Sequence, residues 1–274
     1  RFQNTASNVY IDGCNFTGNA AEKSNGVTTA NGGAIYFNQA ATNINFANSV
    51  FDENNAFNGG ALYTNGVGND VNLDNCTFTD NVASGEYYSN GGAIAFHNSQ
   101  ITVINSVFND NSATKGGAIN IPDDNSYAVI NNCNFTGNTA TRNGDASACD
   151  GGAVRLDCAD ALVNNSNFID NHADGYGGAL DWNSQSDFIM GNSSFIDNSA
   201  MMGGAVFLRT PLNNIEVTKT NFTGNRATYF AGGICVQENS TSFTLDECNF
   251  TDNDAYLGGA LYLGKNLTNF NVNN

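Results

Sequence analysis

The pattern Phe-x-x-Asn-x-Ala recurs nine times along this chain, and after each copy a Gly-Gly doublet opens a short apolar run. The phenylalanines are Phe16, Phe51, Phe78, Phe108, Phe135, Phe168, Phe195, Phe222 and Phe250. Asn follows at plus three and Ala at plus five in every copy, from Asn19 and Ala21 to Asn253 and Ala255. The doublets begin at Gly32, Gly59, Gly91, Gly116, Gly151, Gly177, Gly203, Gly232 and Gly258. A chain that repeats itself at this interval folds as a stacked array, in which each unit buries its apolar face against the next.

Within one repeat the periodicity is two. Val71 and Leu73 alternate with Asn72 and Asp74, Cys76 and Phe78 alternate with Thr77, and Ile94 and Phe96 flank Ala95. These are three short strands separated by Asn, Asp and Gly corners. No 3.6-residue apolar period survives more than a few residues. Three strands per repeat with no helix make a parallel β-helix, each coil lying ~4.8 Å above the last. No hexapeptide period marks the left-handed form, so the expected fold is all-β: a right-handed single-stranded parallel β-helix of about nine coils. It forms one domain over residues 1–274. Phe270 and Val272 match the positions seven and five before a column Phe that would lie past the last residue, so the chain is expected to be a piece of a longer rod.

The repeated residues then acquire scaffold roles. The Phe column stacks inside the rod. The Asn column forms an amide ladder at a corner, where Asn also tolerates the left-handed conformation. The glycines allow positive φ and close coil contact. The position two after each Phe is Asp, Glu or Gly, an exchange that points to a turn requirement. Cys14, Cys76, Cys133 and Cys248 share an inward column with Ser and Thr and read as small buried thiols. Cys149 and Cys158, the one pair close in sequence, flank an extended strand, which holds them apart unless the loop between them folds back to allow a bridge.

Gly-Gly-Ala followed by Ile, Leu or Val, alternating with Phe-x-x-Asn, resembles the repeat pair of the chlamydial polymorphic outer membrane proteins. Similar repeats occur in adhesin-like surface proteins of methanogenic archaea. The motif stands at Gly32, Gly59, Gly91, Gly116, Gly151, Gly177, Gly203 and Gly258, and Gly232-Gly233-Ile234-Cys235 departs from it. The resemblance implies an extracellular, surface-displayed passenger or adhesin domain, whose partner is a protein or glycan receptor on a host or neighbouring cell. No binding site carries over with the repeats.

Charge narrows the partners. The net charge is -17 with only nine Lys and Arg, which disfavours nucleic acid. No apolar stretch is long enough to insert in a membrane as a helix. Coil length varies at one corner: Phe to Gly-Gly spans 8–10 residues in most coils but 16, 13 and 16 in coils one, three and five. The extra residues lie in Asn19–Asn31, Asn81–Asn90 and Asn138–Asp150. Insertions on one edge of a solenoid commonly build its binding surface. Lys23, Glu86, Tyr87, Tyr88, Arg142 and Asp145 are the candidate binding residues there.

Two alternatives compete with adhesion. A polysaccharide lyase or glycoside hydrolase of β-helix fold would need grouped carboxylates and a basic residue, and Arg155, Asp157 and Asp181 are in an outward register for that. Their structural reading is a cross-strand ion pair on a solvated face. A pure spacer is the other alternative. Outward Tyr36, Tyr63, Phe207 and Tyr262 offer rings for sugar stacking, or simply cover the sheet. His97 and His172 lie far apart, so no zinc or haem site is expected. Among cofactors only Ca²⁺ has candidates, Asp170 and Asp197 on adjacent coils. Asn-x-Ser/Thr sequons such as Asn15, Asn75 and Asn134 would permit glycosylation.

Overall fold

The computed structural model describes residues 1–23, 29–85, 88–124, 126–142, 149–158, 160–184 and 186–274, and these build four parallel ladders with no helix. The first ladder holds ten strands, from Ala6–Asp12 to Leu267–Asn273. The Phe ladder holds nine, from Asn15–Thr17 to Asn249–Thr251. The Gly-Gly ladder also holds nine, from Ile35–Phe37 to Leu261–Leu263. Each coil visits the ladders in turn, and each strand pairs with its counterparts one coil before and after, so the chain winds a right-handed parallel β-solenoid. The three expected strands are all present. A fourth ladder of very short strands, from Asn55–Ala56 to Arg226–Phe230, runs between the Phe and Gly-Gly ladders. Two residues of alternation are too few to mark a strand in sequence.

The register keeps like on like. Phe78 pairs with Phe51 and Phe108, and Phe108 with Phe135. Neighbouring rings along the column have centroids 4.6 to 5.1 Å apart and planes within 10° of parallel. Carbon contact distance is ~3.5–4.0 Å, so centroids this far apart mean that the rings are slipped, the arrangement their quadrupoles prefer. Phe51 through Phe222 are fully buried, which is worth roughly 1.5–3 kcal/mol per ring.

The Asn column closes the next corner. Asn138 Nδ2 donates to Asn171 Oδ1 (3.0 Å) and to Phe108 O (2.9 Å), and Asn138 Oδ1 accepts from Asn111 Nδ2 (2.9 Å) and Asn111 N (3.1 Å). The same links run from Asn19 to Asn253. An amide has two donors and two lone pairs, and here all four are used. The left-handed residue is not this Asn. It is the one before, with φ of 53° at Glu53, 52° at Asp80 and 54° at Asp170 and Asp197, which accounts for the Asp/Gly exchange. A second left-handed corner lies three residues before each Phe, as at Asn75 and Asn105.

The third such corner is the first glycine of the doublet, except in coil eight. There Ala231 holds φ 52°, and Gly232 and Gly233 fill the places of the second glycine and the alanine. The departure at Gly232 is thus a one-residue shift of the motif, Ala-Gly-Gly-Ile for Gly-Gly-Ala-Ile. All seven cysteines are free thiols, Cys149 and Cys158 included.

Candidate functional site: a buried charge network and the insertion corner

The outer side of the Gly-Gly ladder is covered rather than solvated. Its outward column runs Tyr63, Ala95, Asn120, Arg155, Asp181, Phe207, Cys235, in register from coil to coil. Every one of these is at most 8% exposed. Residues just before each doublet, such as Lys115, Asp150 and Tyr176, and just after each strand, such as Asp157 and Arg209, fold over the column from both flanks. Tyr63 and Phe207 are therefore buried and not open to a ligand, and they cover the sheet; Tyr36 and Tyr262, at the two ends of the column, are half-buried.

Arg155, Asp157 and Asp181 do come together, as their spacing indicated. Arg155 Nη2 lies 3.0 Å from Asp157 Oδ2, and Arg155 Nε 3.2 Å from Asp181 Oδ2. Two partners were not foreseen. Arg209 Nη2 bridges Asp150 Oδ2 (2.9 Å) and Asp181 Oδ2 (3.1 Å), with its guanidinium over the Tyr176 and Phe207 rings at 4.8 and 5.4 Å. Asp150 is pushed up to about 6, chiefly by burial and further by the Asp181 charge. Burial also raises Asp157, against the pull of Arg155, and lowers Lys115. These carboxylates are buried and held by arginines, so the solvated-face ion pair is corrected to an interior network that extends over coils five to seven. Asn120, one coil earlier, has no hydrogen-bond partner for either side-chain polar atom. Asp150 stands directly before the coil-five doublet and Arg209 directly after the Gly-Gly strand of coil seven, two coils apart, so nothing local in the sequence joins the pair.

The insertions all emerge where expected, between the short fourth ladder and the Gly-Gly ladder. Lys23 is exposed, with Nζ 5.0 Å from the centre of the Phe57 ring, and the two border a hollow of about 280 Å³ with Glu22, Asn55 and Ser84. Tyr88 is 45% exposed, and Lys115 Nζ sits 4.7 Å above its ring. Arg142 is exposed, and its backbone N donates to Asp174 Oδ2 at 2.8 Å, fastening the third insertion to coil six. Glu86, Tyr87 and Asp145 lie outside the described residues. Asp170 and Asp197 are exposed on adjacent coils at the left-handed corner, and among the described residues no group of three or more His, Cys, Asp or Glu is placed to hold a metal. Trp182 is fully buried, edge-on to Phe188 at 5.4 Å.

Fold and sites together define a repeat-built β-solenoid whose residues repeated in register from coil to coil are scaffold and whose long insertions gather at one corner. The model of the Chlamydia polymorphic membrane protein (Chlamydia_PMP) repeat matches residues 75–96 and 105–122, which hold two successive copies of the Phe and Gly-Gly motifs. The chain carries polymorphic membrane protein-type repeats, and such repeats on a β-solenoid fit a surface protein of autotransporter-passenger type. No curated protein and no solved structure matches the chain.

Proposed function

We propose that this chain is a non-catalytic adhesin segment, displayed outside the cell, that attaches to protein or glycan receptors on a host or neighbouring cell through its insertion corner. The observation that carries this reading is the confinement of all three long insertions to one corner of an otherwise uniform rod. Their described residues include exposed Lys23, Tyr88 and Arg142. A rigid scaffold that holds variable loops along one edge is a common way to build a recognition surface. Burial of Arg155, Asp157 and Asp181 in mutual ion pairs supports the non-catalytic part, because a general acid or base has to reach its substrate.

The test is attachment of the purified chain to cells, with residues 22–29, 85–89 and 142–148 shortened to the length of the short coils. Loss of attachment with an unchanged circular-dichroism spectrum is expected. Attachment that survives all three deletions removes the corner from the proposal. Release of reducing ends or unsaturated products from acidic or neutral polysaccharides would replace it with an enzyme.

A further inference from the structure

Beyond the third insertion the corner opens into a groove of about 800 Å³ on the outer side of the fourth ladder, over coils six to nine. We propose that this groove binds an uncharged, extended glycan chain lying parallel to the rod axis. The proposal rests on the attachment reading above and assigns it a second site and a ligand class.

Four polar side chains stand on successive rungs of the groove: His172 pairs in register with Ser199, Ser199 with Arg226, and Arg226 with Asp254. Rungs repeat at ~4.8 Å, about the advance of one pyranose unit in an extended β-linked chain, so each sugar meets one rung. Together the rungs offer donors and acceptors, as hydroxyl groups require. His172 Nδ1 lies 2.9 Å from Ser199 Oγ and Nε2 3.2 Å from Asp174 Oδ1. Arg226 Nε lies 3.4 Å from Asp254 Oδ2, in a pair with both side chains over two-thirds exposed. Pairs this exposed contribute little to stability and are free to exchange partners with a ligand.

Aromatic surface supplies the apolar half of the site. Tyr229, within the coil-eight strand Arg226–Phe230, is 48% exposed and Tyr256, at the coil-nine corner, 80%, and both line the groove. Amphipathic rings of this kind suit the C–H faces of sugars. Charge decides between glycan classes. The groove sets Asp174 and Asp254 against Arg226 on a chain of net charge -17, which repels polyanions.

The experiment is calorimetric titration of the chain with the β-1,4-linked cellohexaose, chitohexaose and mannohexaose, with polygalacturonate as the anionic control. At least one neutral chain should bind, with affinity rising with length up to about four units, one per rung. Tyr229→Ala and Tyr256→Ala should each weaken it by roughly fivefold to tenfold, and Tyr256→Phe should retain it. Melting curves of the variants check that the fold is kept. Binding unaffected by either Tyr→Ala change, binding of polygalacturonate alone, or no binding at all overturns the groove. The insertion-corner reading is scored separately by cell attachment: attachment without oligosaccharide binding leaves that reading standing on a protein receptor, and oligosaccharide binding that survives insertion trimming isolates the groove.

Discussion

Replacing Asn138 by Ala tests the amide ladder where it is deepest. The change removes two donors and one doubly used acceptor, and leaves Phe108 O, Asn111 N and one N–H of Asn111 Nδ2 without those partners. Asn171 Oδ1 still accepts from the backbone N of residue 138. A buried polar group stripped of its partner costs ~1–3 kcal/mol, so three of them give about 3–6 kcal/mol after some local relaxation. Asn19→Ala is the internal control. Asn19 is exposed and loses only its own donation to Asn54 Oδ1, which keeps the bond from the Asn19 backbone, so the cost should stay below about 1 kcal/mol. Urea titration measures both, followed by far-UV circular dichroism for the whole rod and by fluorescence of Trp182, the sole tryptophan, for coil six. In a stack held by nearest-neighbour interfaces, the Asn138 lesion should also let the two signals separate. A cost for Asn138→Ala within about 1 kcal/mol of that for Asn19→Ala refutes the ladder as a source of stability.

Other perturbations follow from the same geometry. Gly91→Ala places a Cβ onto the Ile94 carbonyl at φ 59° and should destabilise by more than about 2 kcal/mol, whereas Ala231→Gly relieves a left-handed alanine and should be neutral or stabilising by up to ~1 kcal/mol, both read from urea midpoints. Asp150 titrates near 6 in the fold against an ordinary 3.8, so the folded state holds the proton more tightly; the stability this contributes is present below pH 4 and lost as pH rises through about 6. Relative to Asp150→Asn, the parent should therefore lose on the order of 2 kcal/mol between pH 4 and 7 in paired melting series, and parallel curves would contradict this. Burial pushes the Cys133 and Cys149 thiols to about 11 and those of Cys158 and Cys235 to about 12, so these four should resist a water-soluble disulfide reagent at pH 8 until the chain is unfolded.

Most of the fold was legible because the scaffold residues act through period and register. Phe at one spacing and Asn three later fix a stacked column and a ladder, and both follow from side-chain size and amide valence. The fourth ladder was hidden because Val82–Ala83 is too short to show alternation. The outward column was misjudged for a different reason. Period two says that Arg155 and Phe207 face away from the core, but not whether Asp150, Tyr176 and Arg209 then cover them. That cover is tertiary. Arg209 reaches Asp150 from two coils away, and no local pattern marks the pairing. The groove residues were equally silent: His172, Ser199, Arg226 and Asp254 differ in type, and only the rung register makes them a series.

Why the insertions collect at one corner has a mechanical answer. On its near side the corner is pinned by the Asn ladder, where Asn138 and Asn171 are joined through amide and backbone. On its far side the first glycine re-enters the stack, φ 68° at Gly151 and 63° at Gly177, with Gly151 N donating to Tyr176 O at 2.8 Å. Coil five inserts a long segment between these pins and coil six a short one, yet both return to the same register at Val154 and Leu180. Loop-closure cost grows only slowly with length, by about 0.6 kcal/mol per doubling. Length and sequence at this corner can therefore change with little cost to the coils, whereas a change of length within the Phe or Gly-Gly strands would break register along the rod. A recognition surface that must vary has its natural place between these two pins, and the attachment tests above are aimed there.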